Sequence, residues 1–158
     1  MQTTNPDQSE IHRFLANPGQ SVAFVGNPMA QAMGCLLVAA DGEAGMVRLE
    51  FSPAAIFVQG AGVLQGGAVT AMLDFSMAFA LLAMLPASQT CATVGLNATF
   101  LRAAPMGRYV AVGEITKRGR TLAFAHARLF ALADPARTVA TATSTLAIAG
   151  RTPAPAAP

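Results

Sequence analysis

One acid stands alone in the most apolar stretch of the chain. Asp74 lies inside AVTAMLDFSMAFALLAML, residues 68–85, a run that opens directly after Gln65-Gly66-Gly67. Met72, Leu73, Phe75, Met77 and Phe79 surround it and predict a desolvated setting, costly for a carboxylate that has no partner. Such an acid is either structural, held by a backbone donor or an arginine, or a reacting group. Paired glycines at the start of a helix expose N–H groups that no side chain blocks. With the helix dipole behind them, those donors suit a developing oxyanion, although a plain turn into a helix would look the same. An acid and an oxyanion donor together would serve acyl transfer to water.

The elements that must position these groups are legible from pattern. Residues 68–85 read as one helix stopped by Pro86, 18 residues and about 27 Å long. A membrane span is the rival reading for such a run. Asp74 near its middle, unfavourable by about 2.5–3.5 kcal/mol in a bilayer, and the half-polar strands around it favour a core helix wrapped by sheet. Ahead of it, residues 35–40 and 46–51 form a hairpin around Asp41-Gly42-Glu43, with Val47, Leu49 and Phe51 alternating against Arg48 and Glu50. Behind it come strands at 90–102, 108–117, 121–132 and 138–148, with turns at Arg118-Gly119-Arg120 and Asp134-Pro135. Two short helices precede the hairpin, one following Ser9 as its cap and one capped by Asn27 with Pro28 in its first turn. The fold class is therefore α+β, an antiparallel sheet around one long central helix. Residues 1–32 are a polar segment with short helices, 33–149 are the domain, and the Pro/Ala-rich 150–158 are expected to be disordered.

Composition sets the limits. The 158 residues suit one domain, and with 53% hydrophobic and only 11% charged residues some apolar surface should be buried between subunits. A net charge of +2 gives no reason to expect nucleic acid or an anionic membrane. Cys35 and Cys91 are far apart and match no metal-ligand spacing, so they read as buried free thiols, with no metal expected. MQTTNPDQSE lacks the basic-then-apolar pattern of a signal peptide, and a cytoplasmic location is expected.

Gln59, Gln65-Gly66-Gly67 and Asp74, together with the segments TVGLNATFLRAAP and KRGRTLAFAHARLF, resemble the hotdog-fold acyl-CoA thioesterases of the phenylacetate-degradation and hydroxybenzoyl-CoA type. Members of that family carry Asn or Gln, then His-Gly-Gly six residues on, then Asp or Glu nine residues after the His. The likeness covers residues 33–148. It implies that Asp74 is general base or nucleophile, that the Gly66 N–H is the oxyanion donor, and that Gln59 orients the thioester or the water. It also implies that Thr93 helps to hold that water, and that Arg102, Lys117, Arg118 and Arg120 face the phosphates of coenzyme A, although solvated turn residues would read alike. Coenzyme A enters only as part of the substrate, with no other cofactor. One departure stands out: Gln65 occupies the family's His position, and it cannot titrate near neutral pH.

Spacing adds a constraint. Eight residues of helix separate Gly66 from Asp74, about 12 Å, so a single carbonyl cannot touch both. If both serve one thioester they come from different subunits, and a homodimer has two equivalent sites; the family resemblance extends this to a tetramer built as a dimer of dimers. No Gly-x-Ser-x-Gly elbow is present, and His126, alone in a strand, reads as structural. The expected activity is acyl-CoA hydrolysis. The alternative, motivated by Gln65, is a module that binds acyl-CoA without cleaving it.

Overall fold

The computed structural model describes residues 5–150; the tail expected to be disordered lies outside them, save Gly150. Its elements are α1 (Pro6–Ala16), β1 (Val22–Ala23), α2 (Pro28–Ala32), β2 (Leu36–Asp41), β3 (Met46–Phe51), a 3-10 turn (Ala55–Phe57), α3 (Gly66–Met84), β4 (Gln89–Phe100), β5 (Tyr109–Arg118), β6 (Leu122–Ala131) and β7 (Asp134–Gly150). The seven strands form one antiparallel sheet in the order β1-β2-β3-β5-β6-β7-β4. The sheet wraps around α3, so the expected α+β plan is the one observed.

Why α3 can lie so close to the sheet is written in small residues. Ala123, Ala125 and Ala127 of β6 and Ala111 of β5 turn buried side chains inward. At Gly113 there is no room even for a methyl group: an added Cβ would lie 2.3 Å from the backbone carbon and oxygen of Ser76. Larger residues from the helix and the other strands fill the rest of the core, among them Leu37, Leu49, Phe51, Met72, Met77 and Leu81, all fully buried. The helix is long and apolar enough to cross a membrane, yet most of it is buried within the chain, as a sheet-wrapped helix must be.

Boundaries moved where local chemistry overrode pattern. α1 starts at Pro6, because the Asn5 side chain accepts from the N–H groups of Asp7 and Gln8 and displaces Ser9 as the cap. α2 keeps its Asn27 cap, which accepts from Ala30 N at 3.1 Å. β1, two residues long, has no sequence signature. The late turn is at Leu132-Ala133 rather than Asp134-Pro135, which open β7. Pro135 is tolerated there because the β6–β7 register shifts beside it, leaving no regular ladder bond to lose. The N-terminal segment joins the same core. Ile11 and Phe14 are buried, Gln8 Nε2 donates to the carbonyl of Leu85 at 3.1 Å, and β1 pairs with β2.

Candidate active site

Asp74 belongs to a stripe that the sheet leaves partly uncovered. Through the middle of α3 the half-buried positions are Thr70, Ala71, Asp74, Phe75 and Ala78, while Met72, Leu73, Ser76 and Met77 are buried. Spacings of three and four put that stripe on one side of the helix. The side belongs to β4, an edge strand: Asp74 Oδ1 accepts a hydrogen bond from Thr93 Oγ1 at 2.8 Å. The acid for which a desolvated setting was expected is half-buried, with a neutral hydroxyl partner.

A β-bulge makes that contact. The β4–β7 register shifts between Thr93 and Gly95, leaving Val94 as the extra residue, 65% exposed. Ser144 Oγ secures the bulge by donating to the carbonyl of Gly95 at 3.0 Å. Bulges at sheet edges re-aim side chains, and here the hydroxyl of Thr93 is directed onto the helix. Cys91 lies on the same side, its thiol 3.7 Å from the carbonyl of Ala78. Burial first, and the nearby Asp74 charge second, push that thiol up to about 11. Cys91 is half-buried rather than fully buried; Cys35 is buried as expected, and both are free.

Gly66 begins the helix at the other end of the motif. Gln65 is the N-cap in an extended conformation, φ −61° and ψ 140°, and its carbonyl accepts from Ala68 N at 2.9 Å and Val69 N at 3.2 Å. Its side chain makes no capping bond and is exposed. The N–H groups of Gly66 and Gly67 have no acceptor among the described residues, the donor arrangement an oxyanion requires. Gly66 opens on a hollow of about 380 Å³ whose lining includes Val63, Leu64, Val69, Phe100 and Arg102. The Phe100 ring reaches to 3.4 Å from where a Gly66 Cβ would be. Gln59 is six residues upstream of Gln65, in a small hairpin closed by the Val58–Leu64 bridge. Its side-chain oxygen accepts from Ala61 N at 2.6 Å, so that atom serves its own loop while the NH₂ stays available.

The basic residues separate into two groups. Arg102 lines the hollow beside Gly66 and donates to the carbonyl of Thr138. Lys117, Arg118 and Arg120 are exposed at the opposite end of α3, where Arg118 Nη1 donates to the carbonyl of Met84 at 3.1 Å. The 19 residues of α3 span about 28 Å, so within one chain the two groups cannot grip the same phosphate. Phe100 had not stood out in the sequence, because an apolar residue in an alternating strand carries no mark of a site. Nor had the bulge, which only the register of β7 reveals.

Known proteins resemble this chain in sequence pattern and in fold. The thioesterase superfamily profile matches residues 61–136, a span holding the Gly66 helix start, Asp74 and Thr93. Over that span the chain carries the thioesterase superfamily pattern. Among solved structures, this thioesterase is similar to a phenylacetic acid degradation-related protein from Ralstonia eutropha JMP134, at 29% identity over 87% of this chain and 98% of that one, with a TM-score of 0.74. It is also similar to a thioesterase family protein from Silicibacter pomeroyi, at 25% identity over 91% and 98%, TM-score 0.75. The E. coli PaaI protein of the phenylacetic acid degradation operon, at 17% identity over 93% and 96% and TM-score 0.72, shares the fold. No curated protein sequence matches. The fold is the hotdog fold, and the activity class is thioester hydrolysis.

Proposed function

We propose that this thioesterase hydrolyses acyl-CoA, with Asp74 of one subunit and the Gly66 N–H of its partner acting on the same thioester. The observation that carries the reading is the Thr93-bonded, half-exposed Asp74 in the one stripe of α3 that the chain's own sheet leaves open. That stripe adjoins β4, a 12-residue strand at the sheet edge. A long unpaired edge bearing exposed apolar residues, Val94 at 65% and Phe100 at 52%, favours pairing with another copy. Such a dimer brings a second Gly66 toward Asp74, which the 12 Å separation within one helix forbids.

In the proposed step, one Asp74 oxygen stays on the Thr93 hydroxyl and the other takes a proton from water as that water attacks the thioester carbon. The carbonyl oxygen becomes an oxyanion and is held by the Gly66 N–H. The C–S bond then breaks, the proton passes from Asp74 to the departing sulfur, and free acid and coenzyme A leave. Gln59, through its free NH₂, is assigned to orient the thioester. Gln65 contributes its carbonyl to the cap, a main-chain role that survives the change from His. The free thiols Cys35 and Cys91 suit a reducing, cytoplasmic setting. The 29% identical relative makes phenylacetyl-CoA the first substrate to try.

The test follows thiol release from phenylacetyl-, benzoyl-, short-chain and medium-chain acyl-CoA. Turnover of at least one of them is expected. Tight binding across the panel with no thiol released would replace the enzyme by a binding module.

A further inference from the structure

We infer that Arg102 and Arg137 together form the seat for the phosphate-bearing end of the substrate, and that Arg137 is a binding residue of this chain. The inference rests on the acyl-CoA reading above. Its basis is a second hollow of about 300 Å³, lined by Arg102, Tyr109, Ala131, Asp134, Arg137 and Val139 among others. Arg102 follows directly on the end of β4, and its segment is pinned to the start of β7. The N–H groups of Leu101 and Arg102 both donate to the carbonyl of Val139, at 2.9 and 3.1 Å, and the Arg102 guanidinium donates to Thr138, next in sequence to Arg137. Two guanidiniums are thereby brought to one cavity.

Like charges gathered in a hollow repel each other unless an anion joins them. Asp134 is the single acid in the lining, and among the described residues no ion pair links it to either arginine. The wall opposite is firm and largely apolar: Tyr109 is buried, with its hydroxyl spent on the carbonyl of Pro105, and Val139 is buried beside it. Such a wall strengthens charge–anion attraction at the guanidiniums, whose planar forks suit phosphate oxygens.

Continuity with the thioester site assigns the anion. The hollow at Gly66 and the hollow at Arg137 share Arg102 and Ala103. A molecule lying through both has its carbonyl at the Gly66 N–H and its far end between the two arginines, and the pantetheine arm of coenzyme A is an extended chain of that kind. Lys117, Arg118 and Arg120 lie at the other end of α3 and are not needed for this phosphate.

The experiment uses the full chain and the variant Arg137→Gln, whose exposed side chain makes folding safe, with Arg102→Gln as a second variant. Binding of adenosine 3′,5′-bisphosphate is measured by calorimetry, and hydrolysis is compared for one acyl group carried on coenzyme A and on pantetheine. Each variant is expected to weaken bisphosphate binding about tenfold, the scale of one charge-assisted contact. KM for the acyl-CoA should rise in parallel with kcat kept, and the pantetheine thioester should be unaffected. Unchanged bisphosphate binding in Arg137→Gln overturns the proposal. So does an equal loss on both carriers, or a loss confined to acyl groups that carry a free carboxylate, which would give the cavity to the acyl end. Wild-type protein that binds the bisphosphate through these arginines but cleaves no thioester would refute the hydrolase reading and leave the phosphate seat standing.

Discussion

The hydroxyl of Thr93 donates to Oδ1 of Asp74 at 2.8 Å, joining an edge-strand bulge to the middle of the central helix. This bond fixes the orientation of the carboxylate and satisfies one oxygen, leaving the other for water. It also holds the acid on the side of α3 that faces the open edge of the sheet.

Asp74→Asn keeps the shape of the side chain and can still accept from Thr93, so the fold should be intact. With the base removed, kcat for thiol release is expected to fall about 10²–10⁴-fold. Circular dichroism and stopped-assay kinetics on the same preparation separate loss of chemistry from loss of structure.

Thr93→Val removes the hydroxyl while keeping a β-branched strand residue. The Asp74 carboxylate then loses its orienting donor, and a bond worth about 1.4 kcal/mol translates to about tenfold in kcat. Thr93→Ser should restore most of the rate. Equal rates in all three proteins would show that the bond does not serve the reaction.

Gly113→Ala addresses the packing that places Asp74. The new Cβ would meet the Ser76 carbonyl at 2.3 Å and Met77 N at 2.8 Å, both backbone atoms that cannot swing aside. Overpacking of this kind costs about 3 kcal/mol. At roughly 2–4 °C per kcal/mol for a chain of this size, Tm should fall by about 6–12 °C. A thermal melt within 2 °C of the parent, read at ~1 °C precision, would mean that sheet and helix lie farther apart.

Alkaline pH should destabilise the fold through its thiols. Burial, with help from the Asp74 charge, pushes Cys91 from 9.0 to about 11, and burial raises Cys35 further. Between those values the unfolded chain has released protons that the folded chain still holds, so stability is full below pH 9 and declines as pH climbs toward 11. Denaturant titrations of the parent should show that decline. A Cys35→Ala, Cys91→Ala variant should show a shallower one.

Much of this plan was legible in the sequence, for identifiable reasons. The helix announced itself because its apolar run is continuous and Pro86 ends it. Its true start, at Gly66, came two residues earlier than the run because the glycines themselves take helical conformation after the Gln65 cap. β3 was legible from the alternation of Val47, Leu49 and Phe51. β1 was not, since two residues cannot display a period. Asp134-Pro135 misled because the pair favours turns in general, while here a shifted register accommodates it in a strand. At the site, type and spacing singled out Asp74 and Gly66 and the family resemblance added Thr93, but the contact of Thr93 with Asp74 depends on a bulge set by β7. Arg137 escaped notice because its meeting with Arg102 is tertiary.

The shared site is the centre of the account, and subunit complementation tests it most directly. Gly66→Pro removes the N–H at a position where proline is favoured, and Gln65 already has the extended conformation that proline requires before it. Gly66→Pro and Asp74→Asn homodimers should each be nearly inactive. Unfolded and refolded together in equal amounts, half of the dimers are mixed and each mixed dimer holds one intact site, so thiol release should return to about one quarter of the parent rate. If the mixture stays as inactive as its components, although mixed dimers have formed, Asp74 and Gly66 do not act on one thioester across the interface.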